Sequence, residues 1–390
     1  MRLVLVVAAV LVSAPLAAQT PPQLTLDHRA IAERIVRQMA PEPGEKILLL
    51  VHPGQFEALV PHLRYAIAQT GAVDLGAMDV VATPYPAAWD MGVLQRAWNP
   101  AKDALRSMLR GVDGAVMLPG ATPGDPAYAA LQDLLREGHG RTVHFHWDGG
   151  GASSAIALPG QPLPPQHVVD AMYQRALLET DYAAVADVQR RFEAALRSGE
   201  TRITTPLGTD LRFRIGDRPV NHQNGDASLA RAGKGVILID REIELPCGAI
   251  RVAPLEETVE GSIAFPPSQW DGRPVEGLKL RFAKGQVVEI QVGSGRAAVE
   301  AEMRQGGEGA RSFREIAVGF NPLLAIPERQ PWIPYYGYGA GVLRLSLGDN
   351  SELGGVVKGG YVRWNFFTDA TVTVAGASWV KDGRLVAAGR

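Results

Sequence analysis

The first half of the chain alternates between short apolar runs and stretches in which apolar residues recur at helical spacing. Strands that are covered on both faces of a sheet are typically continuous apolar runs. Alternation of strands and helices predicts a mainly parallel sheet with helices packed on both faces. A longer helical stretch, residues 167–196, follows and is predicted to break near Asp181. The apolar runs are residues 46–51, 78–82, 114–118 and 142–146.

From residue 201 the pattern changes to short segments typical of antiparallel strands, with one helix predicted over residues 296–305. The fold class expected is therefore α/β plus β. An N-terminal α/β domain of residues 19–200, ending in the long helical region, precedes a β-rich (α+β) C-terminal domain of residues 201–390. The predicted strands of the second domain include residues 210–214, 236–239, 277–282 and 286–290, and a hairpin lies near residues 381–383.

Residues 341–369 contain two apolar runs joined by a glycine-rich connection, which predicts two paired strands. Side chains alternate between the faces of a strand, so Arg344 lies opposite the leucines of the first strand. Arg363 and Asn365 share a face of the second strand, opposite Trp364. An arginine in an apolar strand needs a partner or water, because an unpaired buried charge is very costly.

Residues 1–18 have the pattern of a signal peptide, with Arg2, an apolar stretch over residues 3–12 and small residues up to Ala18. We therefore expect an exported protein, periplasmic or secreted, with no membrane association after the signal is cleaved. The net charge of −2 and the lack of a basic stripe argue against nucleic acid as a partner. Cys247 is the only cysteine, which excludes an intrachain disulfide, and a buried hydrophobic role is favoured over a reactive thiol.

His144, His146 and Asp148 recur at every second residue and would project from one face of a strand. Two histidines and a carboxylate are ligands that suit a transition metal. A fourth ligand is not evident, and the glycine run 149–151 follows directly. Chance alternation at the end of a strand is the favoured interpretation, and a metal site is the alternative.

A set of short motifs after residue 201 points to a known family. Residues 206–211 read PLGTDL, residues 244–250 read ELPCGAI, and Ala253-Pro254 and FREIAVGFN at 313–321 follow in order. In this order and spacing, the motifs resemble the aminopeptidase T, aminopeptidase S and PepS family of two-metal exopeptidases. The resemblance extends from about Glu45 to the C-terminus. It implies an α/β domain followed by a β-rich domain that holds divalent Zn, Co or Mn, and a homodimer.

The resemblance also identifies where this sequence departs from the family. The family binds its metals with two glutamates, two histidines and an aspartate, with a tyrosine close by. Glu315 matches the second glutamate, and the sequence has no histidine after His222. A catalytic metal needs about three protein ligands, so one carboxylate cannot hold two cations. The remaining family positions are occupied by Ala249, Arg344, Ser351, Arg363 and Asn365.

Three hypotheses follow. The first is a metal-free, non-catalytic relative whose pocket binds an anionic small molecule or a peptide carboxylate through Arg344, Arg363, Glu315 and Asn365, with the two arginines and Glu315 in one cluster. The alternative is an active metallo-aminopeptidase or other hydrolase with a metal site relocated to His144, His146 and Asp148. The third is a structural protein whose pocket is filled by an internal arginine–glutamate network.

Overall fold

The computed structural model describes residues 25–81, 85–147, 155–235 and 237–386. The predicted signal peptide, residues 1–18, and Asp148 lie outside these ranges. No helix in the described ranges is both long enough and apolar enough to span a bilayer.

The N-terminal part contains the strand–helix alternation that the sequence predicts. The predicted break in the long helical region is confirmed, because Asp181 caps a new helix by accepting a hydrogen bond from the Ala184 amide. The helices are α1 (His28–Met39), α2 (Val60–Gln69), α3 (Met91–Leu109), α4 (Pro126–Arg136), α5 (Gln166–Glu179) and α6 (Tyr182–Ser198), and the strands are β1 (Lys46–Val51), β2 (Val73–Asp79), β3 (Gly114–Met117), β4 (Arg141–Phe145) and β5 (Ile156–Ala157).

The C-terminal part is rich in short strands. Its helices are α7 (Leu229–Ala232), α8 (Leu238–Arg241) and α9 (Arg296–Gln305). Its strands are β6 (Thr201–Thr204), β7 (Asp210–Phe213), β8 (Val220–Gln223), β9 (Glu242–Leu245), β10 (Ala249–Val252), β11 (Glu260–Ala264), β12 (Ser268–Trp270), β13 (Arg273–Val275), β14 (Lys279–Ala283), β15 (Gln286–Gln291), β16 (Phe313–Gly319), β17 (Trp332–Ile333), β18 (Leu343–Gly348), β19 (Val362–Phe367), β20 (Thr371–Val374), β21 (Ala377–Lys381) and β22 (Arg384–Leu385).

Two elements differ from the prediction. Residues 238–241 form α8 instead of the predicted strand at 236–239, since periodicity cannot separate a short buried helix from a strand. Strand β2 begins at Val73, earlier than the apolar run at 78–82 indicates. It is an edge strand, and all of its residues are at least partly exposed, so its sequence lacks the continuous apolar run of a covered strand.

Three sheets form the frame of the molecule. The parallel sheet has the order β2-β1-β3-β4-β9, so its last strand comes from the second half of the chain, beyond residue 200. A five-stranded antiparallel sheet has the order β19-β18-β16-β10-β8. An eight-stranded sheet, β15-β14-β11-β7-β6-β20-β21-β22, is also antiparallel. The α/β plus β-rich fold class is confirmed.

The link between β9 and β10 sets the position of the site. Only residues 246–248 separate the end of the parallel sheet from the first residue of the antiparallel strand β10. Cys247 lies in this link and is fully buried, and burial raises the pKa of its thiol to about 12. It is therefore a core residue, as predicted. The short link holds the carboxyl end of the parallel sheet against the five-stranded sheet.

Candidate functional site

A cleft of about 640 Å³ lies between these two sheets. Its first wall is formed at the carboxyl ends of the parallel strands, where ligands of open α/β sheets commonly bind. That wall includes residues 119–123 after β3 and polar side chains of β4 and β9. The second wall belongs to the five-stranded sheet and the loops beside it. The side chains of the first wall include His144, His146, Glu242 and Glu244, and those of the second include Arg251, Tyr336, Glu352 and Trp364.

Strand register brings one glutamate and two arginines together in the five-stranded sheet. Ala317 on β16 lies opposite Arg251 of β10 on one side and opposite Arg344 of β18 on the other. Glu315 lies two residues before Ala317, opposite Ser346. Residues directly opposite in an antiparallel pair project to the same face. The register of the three strands therefore places Arg251, Glu315 and Arg344 side by side.

Glu315 is fully buried and bracketed by these arginines. One carboxylate oxygen, Oε2, accepts hydrogen bonds from Nε (3.2 Å) and Nη2 (3.1 Å) of Arg251. The other, Oε1, lies 2.9 Å from Nη2 of Arg344 and accepts a hydrogen bond from Ser346 Oγ at 3.2 Å. Burial opposes ionisation of Glu315, but the charges of Arg251 and Arg344 outweigh it and lower the pKa of the carboxyl. Glu315 is thus a carboxylate held by guanidinium groups.

The cluster contains two further members, Arg314 and Glu352. Oε1 of Glu352 lies 2.7 Å from Nη2 of Arg251 and also accepts a hydrogen bond from Arg314. The register of β16 is irregular between Phe313 and Glu315, a bulge that lets consecutive side chains reach one cluster. Sequence analysis did not identify Arg251, Arg314 or Glu352. Arg251 and Arg314 could have been identified from sequence, because each is an isolated arginine in an apolar strand, β10 and β16 respectively.

We call Arg251, Arg314, Arg344, Glu315 and Glu352 the arginine cluster. Three guanidinium groups face two carboxylates, which leaves one positive charge in excess. Arg344 is 2% exposed, and neither its Nε nor its Nη2 has an aligned hydrogen-bond acceptor. Arg251 lines the cleft, and its Nη1 makes no hydrogen bond to another described residue. Arg251 therefore has a spare donor on the wall of the cleft.

Arg363 does not join this cluster, so that part of the sequence prediction is wrong. Register pairs Arg363 with Leu347, whereas Arg344 pairs with Phe366, and the two arginines project from opposite faces of the sheet. Arg363 instead lies 2.7 Å from Glu302 and packs 3.6 Å from the ring of Trp270. Side chains alternate within each strand as predicted. The residue-by-residue pairing of β18 with β19 cannot be derived from the sequence, and it places the two arginines on opposite faces.

The other residues at family ligand positions, Asn365, Ala249 and Ser351, do not line the cleft. Asn365 lies on the Arg363 face and accepts a hydrogen bond from Arg363 Nε at 3.1 Å. Ala249 is fully buried. Ser351 is exposed and donates its hydroxyl to Asp349 at 2.6 Å. Sequence analysis therefore identified Glu315 and Arg344 as neighbours correctly, and grouped Arg363 and Asn365 with them incorrectly.

These residues do not fit the two-metal centre that the family resemblance implies. Both carboxylates of the cluster are already bound by guanidinium groups, so a divalent cation at Glu315 would meet fixed positive charges. Among the described residues, no three histidine, cysteine, aspartate or glutamate side chains are grouped in a way that could hold a metal ion.

The proposed alternative metal ligands His144 and His146 lie on the opposite wall of the cleft, with ring centroids 3.6 Å apart. Nδ1 of His144 lies 2.7 Å from the hydroxyl of Tyr128. Burial lowers the pKa of both rings, that of His146 to about 3, so both are neutral. Nδ1 of His144 is engaged by Tyr128, and Asp148 lies outside the described residues, so the described part of this trio does not form a group that could hold a metal ion.

Glu242 and Glu244 complete the first wall. Glu242 is 8% exposed and accepts hydrogen bonds from Tyr128 (2.9 Å) and Gln132 (3.2 Å). Glu244 accepts a hydrogen bond from the Tyr338 hydroxyl. Within the described ranges, no lysine or arginine lies within 4.0 Å of either carboxyl group. Burial raises the pKa of Glu242 to about 7, in contrast to Glu315.

Aromatic side chains cover the second wall. The ring of Trp364, 40% exposed, lies 5.3 Å from that of Tyr336 and 4.7 Å from the guanidinium of Arg344. Tyr335 and Tyr336 both have positive φ (36° and 48°), a conformation that bulky residues rarely adopt and that is concentrated at functional sites. One wall of the cleft therefore combines an aromatic surface with a cationic cluster. On the other wall, the described residues give Glu242 and Glu244 hydrogen-bond donors but no lysine or arginine partner.

Comparison with known proteins agrees with the motifs. Residues 189–325 match the family described as thermophilic metalloprotease (M29). AmpT from Thermus thermophilus has a similar structure, with a TM-score of 0.61, 17% sequence identity, and coverage of 92% of this chain and 98% of that chain. A 2,5-dihydroxypyridine dioxygenase from Pseudomonas putida is similar to the same extent (TM-score 0.61, 15% identity, coverage of 92% and 97%). Curated protein sequences gave no match. Residues 189–325 are therefore similar to the thermophilic metalloprotease (M29) family, in agreement with the motifs.

Proposed function

We propose that this protein is a metal-free, non-catalytic relative of the M29 peptidases that binds the carboxylate of a small molecule or peptide in the cleft. The observation that supports the proposal is the arginine cluster, in which three guanidinium groups surround two carboxylates beside the cleft. The overall fold does not decide the function, because a peptidase and a dioxygenase share it.

The chemistry of the cluster favours an anion over a cation. A divalent metal at Glu315 would have to displace Arg251 and Arg344, which stay protonated and cannot leave the site as neutral groups. An arriving carboxylate would instead find the free Nη1 of Arg251 on the cleft wall. Hydrogen bonds between guanidinium and carboxylate are short and charge-assisted, and they are stronger than bonds between neutral groups. The excess positive charge of the cluster would be neutralised by this ligand.

Export is part of the proposal and rests on residues 1–18. Cleavage after Ala18 would release the mature protein to the periplasm or the medium. Intact-mass measurement of protein purified from the periplasmic fraction checks this step. A mature chain that retains Met1 would contradict export through this signal.

The first experiment separates the proposal from the metallopeptidase alternative. Elemental analysis of the purified mature protein should find well below one bound transition metal per chain. Aminopeptidase activity should stay at background after addition of zinc, cobalt or manganese. Stoichiometric metal together with release of N-terminal residues would favour the active hydrolase, with ligands drawn from elsewhere in the chain.

The second experiment tests carboxylate binding with a matched pair of probes. N-acetyl-leucine carries a carboxylate, and N-acetyl-leucine amide replaces it with a neutral group of similar size. The acid should raise the melting temperature, whereas the amide should not.

Arg251→Lys should weaken binding of the acid at least about tenfold, since lysine keeps the charge but loses the planar fork. Arg363→Ala is the matched control and should bind the acid normally, because Arg363 projects from the other face. Equal responses to acid and amide would contradict the proposal and favour the ligand-free network.

A further inference from the structure

A second cavity, of about 690 Å³, borders the arginine cluster. We call it the rear cavity, and it is lined by residues of the ranges 135–138, 238–241 and 349–362 together with Arg314. Arg314 lines the rear cavity and not the cleft, Arg251 lines the cleft and not the rear cavity, and Glu352 lines both. The cluster therefore presents a different arginine to each of the two cavities.

Arg314 is a buried guanidinium group with unused donors. It is 2% exposed, and its Nη2 donates a hydrogen bond to Glu352. Its Nε is buried without a hydrogen-bond partner and lies 3.9 Å from Oε1 of Glu315. Its Nη1 makes no hydrogen bond to another described residue. Buried polar groups are normally hydrogen-bonded, so these donors are open to a partner that enters the rear cavity.

Two more arginines line the rear cavity from other elements. Arg241, the last residue of α8, donates from Nη1 to the Gly140 carbonyl at 3.1 Å, and no carboxylate of a described residue pairs with it. Arg136, the last residue of α4, pairs with Asp133 at 2.7 Å, but Asp133 also pairs with Lys102 at 3.0 Å. Three guanidinium groups, from α4, α8 and β16, thus line one cavity.

The acidic groups of this lining are engaged within the protein. Asp349 accepts hydrogen bonds from the amide (2.9 Å) and the hydroxyl (2.6 Å) of Ser351 and from the amide of Gly360 (3.0 Å). Glu352 is bound by guanidinium groups of the arginine cluster. Three arginines and these two carboxylates are the charged side chains of the lining, so one positive charge is in excess. A cation would meet engaged carboxylates, whereas an anion would meet unused donors.

We infer that the rear cavity binds a phosphate group, held by Arg241 and Arg314. A phosphate group carries more negative charge than a carboxylate and has at least three acceptor oxygens, so it can bind guanidinium groups of different elements at once. Small-molecule sites have volumes of roughly 300–1,000 Å³, so this cavity has room for an organic phosphate as well as for the free ion. The site needs neither the cleft nor its carboxylate ligand, and it therefore goes beyond the proposed function.

Calorimetric titration of the mature protein in a phosphate-free buffer at constant ionic strength tests this site. The probes are inorganic phosphate and glycerol 3-phosphate, and the controls are glycerol and acetate. At least one phosphate compound should bind with one site per chain, more tightly than acetate, and glycerol should not bind. The phosphate compound that binds more tightly identifies the source of the ligand, a free ion or a phosphate monoester.

Arg241→Gln locates the phosphate group. It should weaken phosphate binding at least about tenfold, because charge-assisted hydrogen bonds are lost. The variant should fold normally, which its melting temperature checks, since Arg241 has no carboxylate partner among the described residues. Arg281→Gln, which removes an exposed arginine of β14, is the matched control and should bind phosphate like the wild-type protein.

Three results would overturn the inference. They are the absence of binding by both phosphate compounds, acetate binding as tight as phosphate binding, and unchanged phosphate affinity in Arg241→Gln. A larger loss in Arg251→Lys than in Arg241→Gln would place the anion in the cleft and would also overturn it. Arg241→Gln should bind N-acetyl-leucine like the wild-type protein, so failure of the rear site and failure of the proposed function are distinguished.

Discussion

Glu315 and Glu242 are two buried glutamates on opposite walls of one cleft, and their surroundings make them behave in opposite ways. Glu315 is bound by Arg251 and Arg344, and its pKa is lowered despite complete burial. Glu242 has Tyr128 and Gln132 as its hydrogen-bond donors, and its pKa rises to about 7. The difference shows that burial raises the pKa of a carboxyl group, whereas guanidinium neighbours lower it.

Under the proposal of a metal-free protein, the same difference explains how the charge of Glu315 is balanced in this fold. The position that keeps a family glutamate, Glu315, is neutralised by side chains of neighbouring strands. The family resemblance places Arg344 where the family has a histidine ligand, and it places another ligand position at Ala249, two residues before Arg251. Guanidinium groups thus supply the positive charge at Glu315.

The largest effect expected is from removal of the guanidinium-bound carboxylate. Glu315→Ala should lower the free energy of unfolding at pH 7 by about 3–5 kcal/mol, because it leaves buried arginines without their partner. Urea denaturation measures this loss. The double variant Glu315→Leu, Arg344→Met should lose less free energy of unfolding than Glu315→Ala alone, because it removes one negative and one positive charge. A loss below about 1 kcal/mol for Glu315→Ala would show that the cluster is not a coupled unit.

The next effect concerns the pH dependence of stability. The pKa of Glu242 rises from 4.5 to about 7 on folding, so its contribution is fully present below pH 4.5 and is lost as the pH rises to about 7. The raised pKa of Glu242 corresponds to an upper limit of about 3 kcal/mol in the free energy of unfolding. Glu242→Gln should abolish this loss and be more stable than the wild-type protein at pH 8. Glu315 acts in the opposite sense, because stability from its lowered pKa is lost as the pH falls below 4.5.

Stability curves of the wild-type protein, Glu242→Gln and Glu315→Gln from pH 2 to pH 8 check both signs at once. The Glu242 variant should differ from the wild-type protein mainly above pH 6. The Glu315 variant should lose the acid-sensitive component of stability. Parallel curves for all three proteins would contradict the contrast between the two walls.

A smaller effect is expected at Arg363, which lies on the other face of the five-stranded sheet. Arg363→Ala removes an ion pair with Glu302 and a stacking contact with Trp270. The expected loss is about 1–2 kcal/mol in the free energy of unfolding, measured by urea denaturation. Binding of N-acetyl-leucine should not change. Weaker binding in this variant would return Arg363 to the ligand site and contradict the observed register.

The smallest effect is expected for an ion pair in water. Arg281 and Glu289 are paired across β14 and β15 at 2.9 Å, with both side chains well exposed. Glu289→Ala should leave the unfolding transition unchanged within experimental error, because exposed pairs add little to stability. A loss comparable to that of Glu315→Ala would show that burial is not what distinguishes the cluster.

Much of the fold was predictable from sequence, because the spacing of apolar residues in long segments indicates which side chains are buried. The parallel strands, helix α9 and the break at Asp181 follow from local pattern. Strand β9 was missed, since a four-residue strand beyond the apparent boundary carries too little pattern to show that it joins the parallel sheet. In the site, Glu315 and Arg344 followed from the family motifs. The contacts of Arg251 with Glu315 and of Tyr128 with Glu242 join distant elements, which no local pattern records.

The most direct test of the account is an experimental crystal structure of the mature protein grown with zinc or cobalt, with anomalous diffraction recorded at the edge of the metal. The account predicts Arg251 and Arg344 within hydrogen-bonding distance of Glu315 and no anomalous peak at that carboxylate. A metal ion about 2.0–2.2 Å from Glu315, with the two arginines turned away, would contradict it.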